Sequence, residues 1–402
     1  MHILLISTFG FDTHYPSRPE FMLAQTLAEQ GHTVSAVEYW HDTNTPKIEA
    51  YAPRFTIYRC RTFGFFSYDL AKLARTLPKP DIVNVHHLRN LLAYQAVWHW
   101  QGIAPLVLSP YGILHDGDLV EDRERPLETP LHPERMYQHP KQLLQALLRG
   151  KHPRRSIRNY LLHAPLQKYN GFISISHHEK KVLCELGFAE PTIRVVSCPV
   201  DFTHYVDHLS PYKHQRPTVI YIGQLILRKG WDVLLRAAPI IRQHIPDVRI
   251  VMITHNTSQL AYLHEMISQN SLQDTIEIHM RVSEAVKVEL LLQAHVLVSP
   301  SRYEGFGIPV IEGMAAHCGV VAADIPACNE VIHHSVSGLL HKYADPQDLA
   351  DATIRLLNDT PLRERLTTYA YTHVQETYER TVIAQQAVDF YQTMIQSWQS
   401  DT

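Results

Sequence analysis

The sequence predicts an α/β protein built as two Rossmann-like lobes facing a cleft. Three observations carry that expectation. The chain has 402 residues, more than a single hydrophobic core usually serves. Short apolar runs alternate with helical patterns, the rhythm of a parallel sheet covered on both faces. That rhythm breaks at a polar, irregular stretch, residues 201–216, and then restarts. The break, with Pro211 and Pro217 at its end, places a first lobe at residues 1–205 and a second at 206–379. A final helix, about residues 380–400, is expected to cross back onto the first lobe.

Residues 2–7 read as the first buried strand. The opening MHILLISTFGF has no basic leader and no small-residue cleavage site, so a strand fits better than a signal sequence. A helix should open at Ser17, where Ser17 and Glu20 form an S-x-x-E capping box, and close at Gly31. Strands follow at 33–38, 81–85, 106–109 and 171–174, with a helix over about 177–186. The second half repeats the pattern with strands at 218–222, 248–254, 276–280, 295–299 and 320–323, and a helix from about Gly230. Ser283 suits a helix cap. There is no internal repeat and no low-complexity tract.

Composition narrows the function classes. Hydrophobic content of 45% and charged content of 19% fit a folded protein. A formal charge of −3 gives no bulk attraction to nucleic acid, although 27 histidines would make the surface more positive in mild acid. Cys60, Cys184, Cys198, Cys318 and Cys328 are odd in number, widely spaced and without a C-x-x-C pair. That spacing argues against a disulfide framework or a zinc site and for reduced thiols in a cytoplasmic enzyme. No run of about 18 apolar residues offers a membrane span.

The most informative segment runs from Ser299 to Ala316, SPSRYEGFGIPVIEGMAA. A buried strand ends at Ser299, and a loop then carries Glu304, Gly305, Phe306 and Gly307. Pro309 suits the first helical turn, where its missing N–H costs nothing. The glycines let backbone approach a ligand, and the free N–H groups of the helix start favour phosphate. Glu304 lies on the loop and Glu312 one turn into the helix. A second segment, YIGQLILRKGWD from Tyr221, feeds a strand into Gly223 and puts Arg228 and Lys229 just before a helix. Two cations there suit a diphosphate leaving group without a metal.

This pattern resembles the E-x7-E motif of retaining glycosyltransferases of the large family-four group, which have the GT-B fold. The similarity extends over Ala322 to Glu330 (AADIPACNE), SGLL at 337–340, Asp345-Pro346 and Leu349-Ala350. The resemblance implies a nucleotide-diphosphate sugar donor, a glycan, lipid-linked or small-molecule acceptor, and neither metal nor cofactor. It implies that Glu304 binds hydroxyls of the transferred hexose and Glu312 the ribose hydroxyls. Amides around Phe306, Gly307 and Ile308 would meet the diphosphate or the sugar, and Arg228 and Lys229 would offset the leaving-group charge. Relatives hold the nucleobase near the loop after residues 276–280, which brings in Arg281, equally readable as a solvated arginine. Where the family commonly has a glycine-rich turn after the strand ending at Thr254, this chain has His255-Asn256-Thr257.

The first lobe departs further from the family. Many relatives have histidine then glycine where this chain has Tyr111-Gly112, so Tyr111 and His115 are equal candidates for the missing donor-sugar contact. The loop FGFDTHYPSR at 9–18 lacks the family's double glycine, leaving Gly10 to serve the phosphates or the loop to face the acceptor. His86 and His87 have no nearby carboxylate or cysteine set in the sequence and read as structural or acceptor-facing. Lys141, Arg149, Lys151, Arg154, Arg155 and Arg158 lie without an acid among them. With Leu143, Leu144, Leu147 and Leu148 they read either as a solvated helix or as a peripheral contact to anionic lipid through 141–158. The rival functions are a GT-B epimerase or phosphorylase, and a catalytically silent sugar-binding homologue.

Overall fold

The computed structural model describes all residues except 63–65, 88–90, 113–137, 150–152, 207–212, 256, 258 and 402. The chain divides into two compact units. One holds the described residues up to Pro199 together with those from Arg380 onward, and the other holds Val200–Glu379.

The first unit is built on eight strands: β1 (His2–Ile6), β2 (Thr33–Tyr39), β3 (Ile48–Ala52), β4 (Phe55–Cys60), β5 (Ile82–His86), β6 (Leu106–Ser109), β7 (Gly171–Ser174) and β8 (Ile193–Val195). Their order is β3-β4-β2-β1-β5-β6-β7-β8, all parallel except the β3–β4 pair. Val, Ile and Leu fill β1, β5 and β6, and every residue of β5 is buried. Such runs suit a strand covered on both faces. The helix Arg380–Asp401 belongs to this unit: the Asn84 amide donates to the Tyr391 hydroxyl at 2.7 Å, and Arg380 bonds Thr26 Oγ1 at 3.1 Å.

The second unit has six parallel strands: β9 (Thr218–Ile222), β10 (Arg249–Thr254), β11 (Ile276–Met280), β12 (Val296–Ser299), β13 (Gly319–Ala323) and β14 (Leu339–His341), ordered β11-β10-β9-β12-β13-β14. Trp231, Leu234, Leu235, Ala238 and Ile241 of the helix Trp231–His244 are fully buried against it. Each large side chain so buried contributes roughly 1.5–3 kcal/mol. Ser283 caps the helix Glu284–Gln293, its hydroxyl accepting from the Val286 amide.

Two expectations change. The helix expected at Ser17 spans Pro19–Glu29 with Arg18 as its N-cap, and Arg18 makes no side-chain cap bond. The capping box does not form because Glu20 is buried and its carboxylate is taken by His87 at 2.5 Å. Strands β3, β4, β8 and β14 were not expected. β3 is an exposed edge, and β8 and β14 have three residues each, too few for a periodic signal.

Candidate active site

In the second unit, β9 and β12 lie side by side while their chain neighbours run outward in opposite directions. Loops leaving the carboxyl ends of strands at such a reversal are where wound sheets take ligands. Here those loops are residues 223–230 after β9 and 300–307 after β12.

The two loops are stitched together by backbone. Gly230 has φ +65°, and a Cβ on it would lie 1.8 Å from the Pro300 carbonyl oxygen, so only glycine permits the approach. The Arg302 amide donates to the Arg228 carbonyl at 2.8 Å, and its guanidinium donates to the Leu227 carbonyl at 2.6 Å. That guanidinium also forks onto both oxygens of Asp232, at 2.6 and 2.7 Å, in the first turn of Trp231–His244. The bidentate geometry fixes orientation as well as adding energy.

Held this way, Lys229 Nζ donates to both oxygens of Glu304, at 2.7 and 2.8 Å, and Ser301 Oγ donates to Oε1 at 2.7 Å. Glu304 is 7% exposed. Burial pushes its pKa up, but the charges of Lys229 and Arg228, with the bonds from Lys229 and Ser301, outweigh burial and hold it below the ordinary value. Glu304 is therefore an ionised acid inside a cationic pair. The Arg228 guanidinium lies 5.9 Å over the Tyr303 ring.

Gly307, at φ +103°, caps the helix Ile308–Ala315, with Pro309 in its first turn. The Phe306 side chain is buried edge-on against Tyr378, so this stretch presents main chain, not the phenyl ring, to a ligand. Glu312 is buried one turn further on and accepts from Lys287 Nζ at 2.6 Å, while Lys287 also pairs with Glu284 at 2.8 Å. Burial raises the Glu312 pKa beyond what Lys287 offsets. Gly223 is tied through its amide to the Ile253 carbonyl at 3.0 Å. Arg281 is exposed at the end of β11, in a left-handed conformation, and among the described residues its guanidinium has no partner.

Arg228, Lys229 and Glu304 are thus brought together, and Glu312 forms a separate ion pair. Ser301, Arg302, Gly230 and Lys287 escaped the sequence reading. Lys287 sits three residues after Glu284, the spacing of an ordinary surface pair. In the first unit Gly10 is buried, and Tyr111 is partly buried at φ +52° beside Gly112, whose amide donates to Glu179 at 2.7 Å. Holding a non-glycine residue in that region costs about 1–3 kcal/mol and marks a constrained site. His115 lies outside the described residues. Among the described residues no group of three or more His, Cys, Asp or Glu could hold a metal ion.

Residues 210–373 match the family described as glycosyl transferases group 1, and residues 21–204 match glycosyltransferase family 4. The phosphatidyl-myo-inositol mannosyltransferase of Mycobacterium tuberculosis is 32% identical over 46% of this chain and 50% of its own. The alpha-D-kanosaminyltransferase of Streptomyces kanamyceticus is 29% identical over 38% and 39%. The chain spans about half or less of the length of the curated relatives it matches. Among solved structures, sucrose-phosphate synthase from Thermosynechococcus elongatus superposes with TM-score 0.73 at 18% identity, covering 99% of this chain and 100% of that one. Anabaena HepE in complex with UDP and glucose gives TM-score 0.71 at 16% identity, covering 98% and 100%. The structural likenesses show the GT-B fold, and the two family models mark similarity to glycosyltransferases of the group-1 and family-4 types.

Proposed function

We propose that this group-1/family-4-type chain moves a hexose-type sugar from a nucleoside-diphosphate sugar to an acceptor hydroxyl, with retention of anomeric configuration and without a metal. The observation that carries the reading is the Arg228–Lys229–Glu304 cluster at the strand reversal of the second unit. Arg228 and Lys229 offset the charge that develops on the departing diphosphate. Glu304 takes hydroxyls of the transferred sugar, and its ionised state favours the positive character that builds on the ring. Glu312 accepts from the ribose hydroxyls, and the amides from Phe306 to Ile308 face the diphosphate or the sugar. Gly223 puts main chain without a side chain beside the donor; Arg281 is the weakest contact, placed toward the base. The departing oxygen helps deprotonate an acceptor that arrives on the same face. The UDP bound by HepE is in keeping with a nucleotide-sugar donor here.

The test is a thermal-shift screen of UDP, GDP, ADP and their sugars, followed by transfer assays with the stabilising donor. A ligand that prefers the folded state raises the melting temperature, by about 2.7 kcal/mol of stability at a hundred times its Kd. Glu304→Gln should keep nucleotide binding and lose transfer. Full activity in that variant contradicts the reading. Donor turnover without acceptor would point to an epimerase, phosphate-dependent sugar release to a phosphorylase, and binding without turnover to a silent homologue.

A second reading concerns lipid. The helix Pro140–Leu148 buries none of its residues, and Leu144 and Leu148 are 58% and 78% exposed beside the exposed Lys141 and Arg149. The next helix, Pro153–His163, exposes Ile157, Leu161 and Arg154. Lys151 lies outside the described residues. Exposed leucines beside cations suit an anionic bilayer and a lipid-linked acceptor. Leu144→Asp with Leu148→Asp should abolish flotation with phosphatidylglycerol vesicles; flotation unchanged by these substitutions removes the reading.

A further inference from the structure

The sheet of the first unit has its own reversal, between β1 and β5. The loop after β1 carries Gly10 and Phe11, and β5 ends in His86, with His87 directly after it. Gly10 is packed so closely that a Cβ there would meet Ser7 Oγ at 2.7 Å and Glu20 Cβ at 2.9 Å. Phe11 is fixed by its amide, which donates to Glu38 Oε2 at 3.1 Å, and Glu38 is held in turn by Arg59 at 3.0 Å. The loops at this reversal are therefore braced.

Into this frame Glu20 projects from the helix Pro19–Glu29. Its side chain is 4% exposed, and Oε1 lies 2.5 Å from His87 Nε2, whose ring is 43% exposed. Burial pushes the Glu20 pKa up, but His87 and its hydrogen bond outweigh this and bring it down to about 2, so the carboxylate is ionised at neutral pH. An ionised carboxylate only accepts hydrogen bonds, so Nε2 must carry the proton. The other ring nitrogen, Nδ1, has no partner among the described residues. Beneath lies His86, fully buried, with neither ring nitrogen hydrogen-bonded. Burial lowers its pKa to about 4, so it stays neutral and adds no second charge.

Tyr111 closes the other side, its ring centroid 5.0 Å from that of His87 and 5.5 Å from that of His86. Both His87, at φ +67°, and Tyr111, at φ +52°, hold left-handed backbone. Among the described residues, the groups facing His87 are Glu20 from the helix, His86 from β5 and Tyr111 from the loop after β6. Glu179 and Cys198 face Tyr111 from behind.

We propose that Glu20 and His87 form a carboxylate–imidazole dyad whose Nδ1 hydrogen-bonds a carbohydrate hydroxyl, with Tyr111 as the wall of that subsite. An oriented ring, an unused ring nitrogen and an aromatic face are the elements that recognise a sugar hydroxyl beside its C–H surface. Glu20 is the positioning residue, because it orients the ring without itself meeting the ligand. The proposal rests on the glycosyltransferase reading for its ligand class. The hydroxyl belongs either to the donor hexose or to the acceptor, and the two give different results.

His87→Asn suits the test, since asparagine tolerates left-handed backbone and lacks the ring. Glu20→Gln is the second variant, and melting temperatures check that both fold. Loss of one such bond should weaken binding by about three- to ten-fold. If the donor supplies the hydroxyl, His87→Asn weakens the nucleotide sugar but leaves the free nucleoside diphosphate unchanged in calorimetry. If the acceptor supplies it, donor affinity is unchanged and acceptor KM rises.

Unchanged donor affinity and acceptor KM in both variants of an active enzyme overturn the proposal while leaving the transferase reading intact. If the wild-type chain binds no nucleotide sugar, the transferase reading fails by itself. The dyad is then tested on 15N-histidine-labelled full chain, with His87→Asn identifying the resonance and methyl α-D-glucopyranoside and methyl α-D-mannopyranoside as probes. Perturbation of Nδ1 with Nε2 protonated supports it; an unprotonated Nε2, or no perturbation by either glycoside, overturns it.

Discussion

Lys229→Met isolates the charge pair on which the second-unit site depends. The substitution keeps the length of the stem and removes the one group that, among the described residues, donates to both oxygens of Glu304. Glu304 keeps Ser301 and the neighbouring charge of Arg228, but it remains buried. Breaking a buried pair from one side costs about 3–5 kcal/mol. With Lys229 18% exposed and two other groups still facing the carboxylate, about 3 kcal/mol is expected at pH 7. The sign of the pH dependence follows from the direction of the Glu304 shift. In the wild type its folded pKa is depressed, so its contribution to stability is present above the unfolded value of about 4.3 and is lost as pH falls through the folded value. In the variant, burial dominates, the folded pKa rises, and protonation relieves the penalty. The stability gap should therefore be widest at neutral pH and narrow on acidification. Urea unfolding of the full chain, read by pulsed hydrogen exchange in peptides spanning 218–315, reports on this unit separately. Lys229→Met with Glu304→Gln should recover most of the loss. A gap that is equal at pH 7 and pH 4, or a double variant no more stable than the single one, refutes the reasoning.

Other consequences are open to direct measurement. Gly230→Ala places a Cβ against the Pro300 carbonyl in left-handed backbone, so it should destabilise by about 2 kcal/mol or more and cut transfer at least ten-fold, read by melting and initial rates. Arg302→Lys cannot fork onto Asp232, and transfer should drop with little change in net charge; wild-type rates would show that the fork does not position the loops. Because burial raises the Glu312 pKa, donor affinity should weaken on acidification from above the ordinary carboxylate range, and Glu312→Gln should give weaker binding that no longer changes with pH there. Calorimetry across pH 4–8 checks this.

The wound architecture was legible because buried parallel strands are continuous apolar runs: β6, β7 and β9 lie where those runs predicted them. Short or exposed strands left no such trace. The acidic segment and the Arg228–Lys229 pair were also legible, because glycine, proline and charge stand in order after apolar runs. What could not be read was who pairs with whom. Glu304 and Lys229 are 75 positions apart, as are Arg302 and Leu227, and nothing local specifies either contact. Glu20 illustrates the opposite failure. Its spacing from Ser17 fits a cap, yet a partner 67 positions away, His87, claims it. Left-handed backbone at His87 and Tyr111 was equally hidden, because tertiary packing imposes it on residues that do not favour it.

The central claim is tested most directly by a crystal of the full chain soaked with the nucleotide sugar that stabilises it. The account predicts diphosphate density within hydrogen-bonding distance of Arg228 and Lys229, and the hexose against Glu304. Well-ordered donor density elsewhere, with the loops at 223–230 and 300–312 empty, would contradict it.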